Sequence, residues 1–140
     1  MLLSVSNYPI FSRLGQEQTL KMIKDAGFDA VDYAFHQLDS NGEWDAIDMS
    51  NNVEKANYIK SLLDKYGLVC NQTHAPFCFK YGDEVSVEGK KFNDIVLSLQ
   101  SSAILGAKSV VVHAIKVPPQ VNFTEYNLNF YKTLEPYAQK

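Results

Sequence analysis

Apolar residues recur at helical spacing in four stretches of the chain. Val53, Ala56, Ile59, Leu63 and Tyr66 advance by three or four positions and form one stripe, and Phe92, Ile95, Val96, Leu99 and Ala103 form another. Leu20, Ile23 and Ala26 make a shorter stripe, and Phe130, Tyr131, Leu134 and Ala138 mark a last helix from about Thr124. Pro136 is expected to end or kink that helix, because it lacks the N–H that a helix interior uses. Asn51, with Glu54 three residues on, predicts a capped start for the second helix.

The first three stripes each run into a glycine and then into a strand-like segment. "IKDAGFDAVDYAF" (23–35), "LDKYGLVCNQTHA" (63–75) and "AILGAKSVVVHAI" (103–115) align, with glycines at 27, 67 and 106, a spacing of 40 and then 39. Glycine just past a helix suits the left-handed position where other residues are strained. Strands are predicted at 2–7, 28–34, 68–74 and 108–114. The order βαβαβαβα implies an α/β fold with a parallel sheet, in one domain spanning residues 1–140. Links from helix to strand are short, whereas those from strand to helix are long: 8–18, 35–50, 75–90 and 115–123. In parallel α/β proteins the strand-to-helix loops gather at one end of the sheet, where ligands bind.

Two strands carry a histidine at that end, in "NQTHAPF" (71–77) and "KSVVVHA" (108–114). Side chains alternate along a strand, so His113 is expected to share a face with Val111 and Ser109, and His74 with Gln72 and Cys70. Asp32 shares its face with Ala30 and Ala34. If those faces line one interior, its open end collects Asn7, Asp32, His74 and His113. Imidazoles beside a carboxylate can act as acid and base near neutral pH or bind a metal. Each residue also has a structural reading: a hydrogen-bonded strand-end histidine, a solvated strand-end aspartate, an irregular "NQT". "FCFKYGDE" (77–84) places Phe77, Phe79 and Tyr81 in one loop, either as a lid over a sugar-sized pocket or as packing beneath the surface. Phe77 is the candidate substrate contact. "DSNGEWDAIDMS" (39–50) opens like a calcium loop, but Glu43 and Trp44 stand where an EF-hand needs a short ligand and glycine. It reads better as an acidic loop built on an Asn41-Gly42 turn.

Composition removes several functions. The 140 residues are 46% hydrophobic and 21% charged, with a net charge of −3. No basic run provides a footprint for nucleic acid. Apolar stretches fall far short of the ~20 residues that span a bilayer, and "MLLSVSNYPIF" lacks the basic flank and apolar length of a signal peptide. Cys70 and Cys78 show no CxxC spacing and read as free thiols. These features point to the cytoplasm. "NQT" (71–73) and "NFT" (122–124) then match the glycosylation sequon by chance. No dinucleotide fingerprint, P-loop or nucleophile elbow occurs.

"AGFDAVDY", "THAPF" and "LGAKSVVVHA", in this order and spacing, together with the "L-x-P-Y-A" ending at Leu134 to Ala138, resemble the first half of the xylose-isomerase-like TIM barrels. That superfamily holds sugar isomerases, sugar and sugar-phosphate epimerases, and apurinic-site endonucleases. The resemblance implies four βα units forming the N-terminal half of a (β/α)8 barrel, with parallel sheet order 1-2-3-4. It also implies a divalent metal ion (Mn, Mg, Co or Zn) in the full-length parent, held chiefly by carboxylates and a histidine from strands five to eight, beyond residue 140. In the endonuclease branch the histidines matching His74 and His113 are zinc ligands. The expected protein is therefore a fragment of an enzyme that moves a proton on a sugar or sugar phosphate, inactive in isolation, with His74, His113 and Asp32 catalytic and Asn7 and Phe77 contacting substrate. Two alternatives compete: a metal-dependent phosphodiesterase, and a non-catalytic flavodoxin-like module, whose doubly wound sheet would run 2-1-3-4. No nucleic-acid or membrane partner is expected. The open first and fourth strands of a half barrel, together with an apolar inner face, predict self-association, possibly as a homodimer.

Overall fold

The computed structural model describes residues 1–8, 10–77 and 79–138, so Cys78 lies outside the described residues. The elements are β1 (Ser4–Ser6), α1 (Ile10–Leu14), α2 (Gln16–Asp25), β2 (Ala30–Ala34), β3 (His36–Leu38), β4 (Trp44–Ala46), α3 (Asn52–Tyr66), β5 (Val69–His74), α4 (Lys90–Leu105), β6 (Val110–Val111) and α5 (Phe123–Ala138). The sheet is parallel and runs β1-β2-β5-β6, with β3 and β4 forming a separate antiparallel hairpin. The order 1-2-3-4 thus holds among the parallel strands, and the hairpin adds two strands to the loop after the second. A doubly wound sheet, which begins 2-1, is overturned. Among the described residues no helix is long and apolar enough to cross a membrane.

The three repeat glycines do what their spacing predicts. Gly27, Gly67 and Gly106 have φ of 88°, 62° and 79°. At each, the glycine N–H reaches the carbonyl three residues back and the next N–H reaches five back: Gly67 to Asp64 and Leu68 to Leu63, Gly106 to Ala103 and Ala107 to Ser102. This Schellman arrangement satisfies the last carbonyls of the helix and turns the chain straight into the following strand.

Helices α2, α3 and α4 cover one face of the sheet. Leu20, Ile23, Ile59, Leu62, Leu63 and Leu105 pack there on Val31, Tyr33 and Cys70. A second core joins Phe92 and Ile95 of α4 to Phe130 and Leu134 of α5, with Ala75 and Ile115 between them. The stripes needed correction in detail. Val53 is exposed, and Leu62 takes its place in the core. The buried side of α4 passes through Ser98, Ser101 and Ser102, while Ala103 is exposed. Ser102 bonds Thr73 of β5 at 2.7 Å and the Ser98 carbonyl at 2.6 Å, so these hydroxyls are paired as they are buried. Small side chains bring α4 close to its neighbours. Asn51 does precede α3, but with φ 51° and no side-chain cap. Pro136 sits inside α5, two residues before its end, and does not stop it.

β5 contains the decisive irregularity. Val31 pairs with Cys70 but Asp32 pairs with Gln72, so Asn71 is an extra residue. Cys70 therefore joins the helix-side core and does not share a face with His74 as simple alternation predicts. The opposite face carries Ser4, Ser6, Ala30, Val69, Asp32, Gln72, Ala34, His74 and Val111. Polar side chains are set among small and apolar ones there, and Val69 is 49% exposed. β6 is shorter than the predicted 108–114 and pairs through Val110 and Val111 alone. β6 stops at Val111, so His113 follows it and is not part of it.

Candidate functional site

Four of the singled-out residues meet at the C-terminal end of the sheet. Asp32 Oδ1 lies 2.8 Å from His74 Nδ1, and its Oδ2 accepts from the Gln72 amide at 3.1 Å. A carboxylate only accepts, so the proton of a neutral His74 sits on Nδ1 and Nε2 keeps a lone pair. The His113 ring stacks on His74 with centroids 5.4 Å apart. Phe77 reaches His113 at 4.7 Å. Burial, and secondarily the charge of a protonated His74, hold the pKa of His113 below the ordinary 6.5.

Asn7 is placed differently. It is 0% exposed, and its Oδ1 accepts the Ala34 N–H at 2.8 Å, extending the sheet beyond the end of β1. Its Nδ2 has no partner among the described residues. As placed, Asn7 supports the strand ends beneath the cluster and presents no surface to a ligand.

Sequence reasoning missed His36. The β3–β4 hairpin carries it over the cluster, 6% exposed, with its ring centroid 4.1 Å from Phe77, 5.1 Å from Trp44 and 6.1 Å from His74. One ring N–H donates to the Ala75 carbonyl, while the buried Nδ1 has no partner among the described residues. Burial first, then the nearby His74 and His113, push its pKa down to about 4. A signal for it was present: Asn41-Gly42 between "HQL" and "EWDA" is hairpin sequence. Asp39 shapes that turn by accepting from the N–H groups of Asn41 and Glu43, each at 2.8 Å.

Beside this cluster lies a cavity of about 490 Å³, roofed by Pro76, Phe77, Phe79, Lys80 and Tyr81 and floored by Ile95, Val112, Ile115 and Phe130. His113, Phe77 and Trp44 line it, but Asp32, His36 and His74 do not. Phe79 and Tyr81 also pack on α5, against Phe130 at 5.2 Å and Tyr126 at 5.5 Å. The loop is therefore both a roof and packed structure.

No three His, Cys, Asp or Glu side chains among the described residues are arranged to hold a metal ion. His74 offers Nε2 and His113 one nitrogen, which leaves a hard or borderline divalent ion far short of its donors. The residues present do not by themselves fit the metal that the resemblance implies.

No protein-family model and no curated sequence matches the chain. Solved structures do. The chain superposes on 3-keto-D-glucoside 4-epimerase from E. coli with a TM-score of 0.63 and 18% identity, covering 99% of this chain and 52% of that one. AP endonuclease, family 2, from Brucella melitensis gives 0.58 and 15%, covering 99% and 53%. A sugar phosphate isomerase/epimerase from Parabacteroides distasonis gives 0.57 and 17%, covering 98% and 46%. The fold is that of part of a TIM barrel. The chain spans about half of each of these structures.

His36 gives the site a stability signature. Its folded pKa of about 4 lies below the ordinary 6.5, so between these values the unfolded chain binds the proton more readily. Its contribution is complete above pH 6.5 and is lost as pH falls towards 4, by up to about 1 kcal/mol per unit. His36→Gln, which keeps a donor but does not titrate, is expected to flatten that part of the profile. Urea midpoints of both proteins at several pH values check this, and parallel profiles would refute it.

Proposed function

We propose that the chain, as the single domain 1–140, supplies the N-terminal four βα units of an eight-stranded barrel enzyme of the sugar isomerase/epimerase type, acting on a sugar or sugar phosphate. The observation that carries this is the Asp32–His74 pair at 2.8 Å with His113 stacked upon it. It stands at the strand ends where such barrels place their chemistry, in a fold matching half of an epimerase and half of an isomerase/epimerase.

In this proposal His74 Nε2 is the base, and Asp32 holds its ring and stabilises the imidazolium that forms. His113 donates to or orients a substrate oxygen, and Phe77 closes one side. Moving a proton beside a carbonyl also needs an electrophile to hold the developing oxyanion. The chain's described residues do not supply one, so the ligands of any divalent ion belong to a complementary half. An endonuclease-type phosphodiesterase, with His74 and His113 as zinc ligands, draws support from the endonuclease neighbour. A net charge of −3 counts against a nucleic-acid partner.

The edges suggest how the barrel is completed. β1 pairs on one side with β2, and β6 on one side with β5. We propose that these open edges recruit a second copy, β1 of each to β6 of the other, which closes eight strands. Sedimentation at micromolar concentration should show a dimer, whereas a stable monomer at those concentrations would overturn this.

For activity, the chain alone is expected to exchange no carbon-bound proton of D-fructose 6-phosphate with D2O, with or without added Mn2+. Losing even one electrophilic donor typically costs ~10²–10³ in rate. Proton NMR checks it: rapid exchange abolished by a chelator would show that a complete site lies within these residues, contrary to the half-site proposal.

A further inference from the structure

We infer that the cavity beneath Pro76, Phe77, Phe79, Lys80 and Tyr81 is a binding site for a small molecule that joins one flat apolar ring to one anionic group. This goes beyond the sugar-processing proposal: the cavity shares His113 and Phe77 with that site, but Asp32 and His74 do not line it.

The walls set the apolar part. Ile95, Val112, Ile115 and Phe130 make the floor, and a sugar ring pressed there would bury hydroxyls against hydrocarbon, at a cost for each one left unpaired. Aromatic side chains frame the upper part, with Phe77 4.3 Å from Trp44 and Phe79 5.2 Å from Phe130, an environment suited to stacking or edge contact with another ring. A volume of about 490 Å³ is within the range of small-molecule pockets.

The rim sets the charge. Of the charged side chains lining the cavity, Glu43 and Lys80 pair with one another at 2.6 Å and cancel. Lys116 lines the same cavity and forms no ion pair among the described residues. One unneutralised ammonium beside an apolar slot selects an anionic substituent: a carboxylate or phosphate on the ring.

Trp44 lines the cavity and is the chain's one tryptophan, so its fluorescence reports occupancy directly. Phenyl phosphate, phenol and inorganic phosphate are the probes. Phenyl phosphate is expected to change the emission saturably. Phenol should bind about fivefold more weakly, the worth of one exposed charge pair, and phosphate should leave the emission unchanged. Lys116→Gln should bring phenyl phosphate down to the level of phenol, as should about 0.5 M salt. Ala114→Leu, which fills the cavity from its exposed wall, should abolish both responses, with its melting curve confirming that it folds. Equal affinity for phenol and phenyl phosphate, indifference to Lys116→Gln, a response surviving Ala114→Leu, or no saturable response would each overturn the inference. The two proposals share His113 and Phe77 but differ in readout: none of these results bears on the Asp32–His74 pair, which lies outside the cavity.

Discussion

One extra residue in β5 decides which side chains face the site. Cys70 and Gln72 have the same parity, yet Val31 and Asp32, their partners, have opposite parity. Both pairings are possible because Asn71 is bulged out between them. Below the bulge the sheet presents Val31 and Cys70 to the helices and builds core. Above it, Asp32, Gln72 and His74 share the other face and make two hydrogen bonds to one carboxylate. Without the bulge, either the core would lose Cys70 or Asp32 would lose both partners. Bulges beside sites that must re-aim a side chain are a recurring use of this irregularity. Ser4 of β1 reaches it across β2, donating to the Asn71 side chain at 2.8 Å.

What the sequence made legible is the part governed by local rules. Helix stripes, the three glycines and the forty-residue period all follow from backbone sterics and 3.6-residue periodicity, and the parallel sheet follows from their alternation. Asp32, His74 and His113 were legible because each falls in the C-terminal part of a strand that the repeated unit predicts. The rest depends on contacts between distant segments. Cys70 was assigned to the wrong face because alternation contains no bulge. The α4 face was misread because Ser98, Ser101 and Ser102 look polar until Thr73 and the helix's own carbonyls pair with them. His36 stood in a stretch read as loop. Its importance comes from the hairpin folding back over Phe77 and His74, which no pattern inside residues 36–46 states.

The cluster and the cavity are adjacent but chemically different. The cluster is polar, fixed by hydrogen bonds to Asp32, and open towards the face of the sheet that no helix of either core covers. The cavity is apolar, lies towards α4 and α5, and shares His113 as its link to the cluster. The hairpin serves both, since His36 seals the cluster while Trp44 and Glu43 wall the cavity. Its Glu43–Lys80 pair is exposed and contributes little to stability. What holds the hairpin is the packing of Trp44, His36, Phe77 and Tyr8 against one another.

The central claim is that Asp32 fixes the His74 ring with its proton on Nδ1, leaving Nε2 as the free, proton-accepting atom of the cluster. Nitrogen-15 NMR of the histidine side chains reads this directly. At pH above 7, His74 is predicted to show a protonated Nδ1 and a bare Nε2, and Asp32→Asn should weaken that preference without unfolding the protein. A His74 resonance in the Nε2–H form, or a mixture unaffected by Asp32→Asn, would contradict the account.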